Sequence, residues 1–120
     1  MNRQPPYSPP ELTAIFTMAV LLLDLSALPE EEKPRINKRA MLRVLMAGPC
    51  PTRSRGSLEA KLMNVSGASM HVGGPIIDGY KPAPNCQRIM REIAQAILVD
   101  GDRTRIDSGL YSTLDPRETA

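Results

Sequence analysis

Chemistry in this 120-residue sequence would have to come from one histidine, two cysteines and a cluster of cations. His71 stands beside Gly73-Gly74 and near Ser66 and Ser69. A Ser–His–Asp arrangement would use it at most once, and nothing else in the sequence supports acyl transfer. A surface or hydrogen-bonded histidine is the expectation. Cys50 lies between Pro49 and Pro51, near Arg53, whose charge would lower a thiol pKa. No base accompanies it, so it reads as a buried or half-exposed thiol. Cys86 follows 36 residues later, which is neither a metal-ligand spacing nor a disulfide framework. The glycines at 67, 73, 74 and 79 lack the Lys-Ser/Thr ending of a phosphate-cradling loop. No catalytic residue, cofactor or metal is therefore expected.

The cations are more informative than their total. The formal net charge is only +2, yet residues 33–61 carry eight basic side chains against Glu59 alone, a local +7. Residues 1–32 carry Arg3 against five acids, a local −4; residues 62–99 stand at +1 and residues 100–120 at −2. A surplus this concentrated points to a polyanionic partner.

The elements that would position these cations read as helices. Ser8-Pro9-Pro10-Glu11 is a helix start with a capping box, and Pro29 stops that helix. Leu12, Ile15, Phe16, Ala19, Leu22 and Leu23 share one face, but Met18, Val20, Leu21 and Leu25 fill the others. Such a helix is buried on most sides or lies in a homodimer interface. Asn37 caps a second helix, Lys38 to Ala47, with Met41, Val44 and Leu45 inside and Lys38, Arg39 and Arg43 outside. Gly48, in a left-handed conformation, and Pro49 would end it. After a turn carrying Arg53 and Arg55, Gly56 or Ser57 opens a third helix with Leu58, Leu62, Met63 and Val65 or Ser66 inside and Lys61 and Asn64 on the other face. Asn85 would cap a fourth helix, Cys86 to Val99, with the stripe Ile89, Met90, Ile93, Ala94, Ile97 and Leu98.

The fold expected is all-α: a four-helix domain over residues 8–99 with a helix-turn-helix-like centre. A flexible Pro-rich lead over residues 1–7 precedes it, and residues 100–120 form an extended polar tail. Length allows one domain. With 42% apolar residues, three Tyr, one Phe and no Trp, the core must be aliphatic, which suits packed helices. Leu12 to Leu23 is the longest uncharged run of the first third, and its 12 residues fall short of the ~20 of a membrane span. No basic leader precedes it, so a cytoplasmic protein without a membrane partner is expected.

In the helix-turn-helix layout the first helix crosses the nucleic-acid backbone and the second meets base edges. Lys38, Arg39, Arg43, Arg53 and Arg55 would hold phosphates, and Lys61 and Asn64 would read bases. The stretch Arg53-Ser54-Arg55-Gly56-Ser57-Leu58-Glu59-Ala60-Lys61-Leu62-Met63-Asn64-Val65-Ser66 resembles an "R-x-x-G-S-I-E-x-K-x-x-N-I-S" segment. Ile77-Asp78-Gly79-Tyr80-Lys81-Pro82, with Asn85 and Gln87, is similar to "I-x-G-Y-K-P-x-x-N-Y-Q". Both segments belong to a small N-terminal module found upstream of HNH-endonuclease and other restriction-type domains in bacterial mobile-element and phage-defence proteins.

The resemblance implies a helical domain that engages DNA ahead of RNA, with Arg53, Arg55, Ser57, Lys61 and Asn64 facing it. Gly79, Tyr80 and Lys81 would be structural. Cys86 replaces the family's aromatic, and a chain ending at Ala120 with one histidine would lack the nuclease. A repressor or accessory DNA-binding protein is the leading expectation. The alternative is a phage- or plasmid-borne protein that inhibits a host restriction or CRISPR complex by docking on it.

Overall fold

The structure is a computed structural model describing residues 5–84 and 86–118. Five α-helices form it: α1 Pro9–Ser26, α2 Lys38–Ala47, α3 Arg55–His71, α4 Arg88–Ala94 and α5 Ser108–Leu114. A π turn, Gln95–Val99, continues α4, and single 3-10 turns lie at Glu30–Glu32 and Arg103–Arg105. There is no strand among the described residues.

The capping box of α1 forms as its sequence dictates. The Ser8 N–H donates to Glu11 Oε1 at 2.9 Å, and the Ser8 hydroxyl accepts the Glu11 N–H at 3.4 Å. Ile15, Phe16, Met18, Leu21 and Leu25 are wholly buried, and α1 packs against α3, α5 and the π turn. Most of its apolar side chains are covered within the chain.

Four expectations need correction. Residues 100–118 are not an extended tail: α5 packs on α1, and Leu114 and Asp115 are buried. The Asp107 side chain caps α5 by accepting the Leu110 N–H, and the Asp107 N–H donates to Thr17 Oγ1 on α1 at 3.0 Å. Asp24 on α1 completes the clasp, accepting both terminal nitrogens of Arg103 (2.8 and 2.9 Å) and the Tyr111 hydroxyl (2.6 Å). Burial opposes ionisation of Asp24, but the bonds from Arg103 and Tyr111 outweigh it and hold its carboxyl below the usual range. Secondly, the lead is anchored from Pro5 onward; residues 1–4 lie outside the described part. Thirdly, α3 begins at Arg55 with Ser54 as its cap. Finally, Gly48 is not left-handed, its φ being −125°. The Asn85 cap lies outside the described residues, and α4 begins at Arg88.

Two glycines allow the loop after α3 to return across it. Gly79 (φ +82°) closes a turn in which the Tyr80 N–H donates to the Ile77 carbonyl at 3.0 Å. The chain then crosses α3 at Gly67, where an added Cβ would collide with the Ala83 carbonyl. The Ala83 N–H donates to the Met63 carbonyl at 3.0 Å and fixes this strap.

Candidate nucleic-acid interface

The eight cation and polar candidates separate into two groups. Arg39, Arg43 and Arg55 are exposed and line one open cleft of about 450 Å³, together with Leu42, Met46, Ser54 and Gly56. The outer face of α2 supplies Arg39 and Arg43, and the start of α3 supplies Arg55. Residues 48–54 connect the two helices, longer than the 3–4-residue turn of a strict helix-turn-helix. At the start of α3 the Ser54 hydroxyl accepts the Ser57 N–H and the Ser54 carbonyl accepts the Leu58 N–H. The N–H groups of Arg55 and Gly56 have no acceptor among the described residues. These free donors and the helix dipole add positive potential to the cleft. Arg55 meets Glu59 at 3.5 Å, but both side chains are half-exposed, so the pair neutralises little. Among the described residues neither Arg39 nor Arg43 meets a carboxylate.

The second group is turned inward, which corrects its expected role. Arg53 is 5% exposed. Its Nε and Nη2 donate to the Glu11 carboxylate at 2.8 and 3.0 Å, and Nη1 and Nη2 donate to the Pro5 and Pro6 carbonyls. The Arg53 bonds, aided by those from Ser8 and opposed by burial, pull the Glu11 carboxyl down to about 2. Tyr7 lies 4.0 Å from the Arg53 guanidinium and 4.9 Å from the Lys61 ammonium, each over its ring. Its hydroxyl shares a 2.7 Å hydrogen bond with Ser57. Lys61 is buried; burial, and then the Arg53 charge, push its pKa down. Arg53, Ser57 and Lys61 therefore fasten the lead to α3 and offer no free head group to a phosphate. Lys38 is also engaged, donating to the Asp78 carbonyl at 2.9 Å and lying 4.8 Å from the Tyr80 ring centre. That contact ties Asp78-Gly79-Tyr80 to α2, in keeping with a structural role for this segment. Asn64 is half-buried on α3.

Cys50 and His71 match their expectations, a buried thiol and a surface histidine with a hydrogen-bond partner. Cys50 is wholly buried, and burial, with Glu11 adding to it, raises its pKa to about 11 against the smaller pull of Arg53. Proximity to an arginine does not activate this thiol. His71 Nε2 lies 3.1 Å from Arg91 Nη1. The serines near it are engaged with the following loop: Ser66 Oγ accepts the Ile77 N–H, and Ser69 Oγ donates to the Pro75 carbonyl.

Met63 and Ala60 were not singled out by the sequence, or were placed wrongly. Met63, expected inside, is 36% exposed, and Ala60 is exposed one turn from Gly56. The missed signal is helical phase. Leu58, Leu62 and Val65 define the inner face, and 56, 60 and 63 fall opposite. No family model, no curated protein and no solved structure matches this chain.

Proposed function

We propose that the protein binds duplex nucleic acid, DNA ahead of RNA, without catalysing a reaction, in a bacterial, phage or other mobile-element setting. The observation that carries this is the convergence of Arg39, Arg43 and Arg55 on the open cleft at the start of α3. Guanidinium groups and free backbone N–H donors suit phosphate oxygens. In this reading α2 and α3 act as a helix-turn-helix-like pair with a long connection. Arg39 and Arg43 hold one strand's phosphates while the first half of α3 meets the groove.

Fluorescence anisotropy on a duplex across a salt series tests it. Three phosphate contacts predict a log K against log [salt] slope of about −2.7. Arg39→Ala and Arg43→Ala should each reduce that slope by about one. Absence of binding at low salt, or a slope near zero, overturns the reading.

A protein-docking reading, as for an inhibitor of a defence complex, is favoured by one other feature. Leu12 on α1 and Ile89, Ile93 and Ile97 along α4 and its π turn line an apolar groove of about 170 Å³, and Ile89 is 45% exposed. Light scattering with a purified restriction or CRISPR complex separates this reading from the first. A stable joint species that survives Arg39→Ala with Arg43→Ala supports docking.

A further inference from the structure

We infer that Ala60 and Met63 read thymine 5-methyl groups in the major groove of duplex DNA. This inference rests on the duplex-binding reading above. Gly56, Ala60 and Met63 stand at i, i+4 and i+7 and so share one face of α3. All three are exposed, although Met63 is an apolar side chain with no need of water. Arg39, Arg43 and Arg55 flank the end of this face at Gly56. The surface therefore combines an apolar strip with cations at its Gly56 end, and the half-exposed Glu59, paired with Arg55, stands beside it.

Its complement carries anionic groups next to apolar ones. The major groove of DNA fits that description, with phosphates along its rims and the thymine methyl as its apolar base-edge group. Nothing lies within 4 Å of a Cβ built at Gly56, so the groove wall can approach the helix backbone there. The strap closes the strip at its other end, where the Ala83 backbone packs on Gly67 and bonds the Met63 carbonyl. The readable face thus spans about two turns, enough for one or two base steps. Duplex RNA fits poorly, because its deep major groove excludes side chains. Lys61, the obvious polar reader by sequence, is buried against Tyr7 and leaves the strip to its apolar members.

The test compares two duplexes of one sequence, one with thymine and one with deoxyuridine throughout, by anisotropy at low salt. Wild type should bind the deoxyuridine duplex more weakly, by about fourfold for each methyl withdrawn from contact. Met63→Gln and Ala60→Ser, both at exposed helical positions and checked by circular dichroism, should bind the thymine duplex more weakly and discriminate less. Equal wild-type affinity for the two duplexes overturns the inference and leaves the phosphate reading standing. Full discrimination in both variants overturns the assignment to Ala60 and Met63. Binding of neither duplex overturns the inference together with the reading beneath it.

Discussion

In an Arg53→Ala variant the Glu11 carboxylate remains in a site built for a guanidinium. The Glu11 side chain is 12% exposed and that of Arg53 only 3%. Removing one partner of a buried pair costs about 3–5 kcal/mol. The acid–base balance gives a similar size. Glu11 is held at about 2 rather than 4.5, and at about 1.36 kcal/mol per unit this amounts to ~3 kcal/mol, or ~2 after allowing for residual solvent at the carboxylate. The expected loss is thus about 2–4 kcal/mol, seen as a Tm lower by roughly 10 °C. The folded-state pKa lies below the unfolded one, so this stabilisation is complete above pH 4.5 and disappears as pH falls toward about 2. Urea denaturation of wild type, Arg53→Ala and Glu11→Gln, at neutral pH and in steps through that window, measures both effects. The gap between wild type and Glu11→Gln should narrow across the window. A loss below about 1 kcal/mol in Arg53→Ala, or a gap that stays constant with pH, refutes the reasoning. Folded Arg53→Ala should also retain wild-type affinity for duplex DNA, since the side chain holds Pro5, Pro6 and Glu11 and has no free donor to offer.

Two further substitutions probe the fold around the site. Gly67→Ala places a methyl against the Ala83 carbonyl and should cost about 1–3 kcal/mol in urea denaturation. Gly56→Ala meets open space and should instead gain up to ~1 kcal/mol, so equal effects would discredit the strap. Asp24→Asn removes the charge that holds Arg103 and Tyr111, and should cost about 1–2 kcal/mol. Hydrogen exchange in α5 should accelerate with it, and unchanged protection there would show that the clasp does not anchor this helix.

Local signals were legible in the sequence where they are self-contained. The Ser8 and Asn37 caps and the Pro29 stop each depend on a few neighbouring residues, and each forms. The helix α5 was missed because seven residues containing Gly109 have little intrinsic helicity. Packing on α1 and the Asp24 clasp supply what propensity lacks. The Asp107 cap with Leu110, Tyr111 and Leu114 at helical spacing was the available sign. Arg53 was misread for a different reason. Its partners are 42 to 48 residues away, and no local pattern distinguishes a guanidinium aimed at solvent from one aimed at a carboxylate.

That distinction changes the meaning of the charge asymmetry. The acidic first segment and the basic second one partly neutralise each other inside the fold, through Glu11 and Arg53. Tyr7 engages Lys61, and the Asp78 carbonyl engages Lys38. Of the eight candidate side chains, the cationic surface at the start of α3 keeps Arg39, Arg43 and Arg55. Three phosphate contacts give weak binding with a salt slope of only about −2.7, far below what eight basic residues would suggest. A duplex binder with so few phosphate contacts must draw its remaining affinity from the groove itself. Beside the half-exposed Arg55 and Glu59, the first half of α3 offers a groove the strip Gly56, Ala60 and Met63, which itself carries no hydrogen-bonding side chain. Its recognition therefore has to rest on shape and methyl groups, and the comparison of thymine with deoxyuridine isolates that contribution.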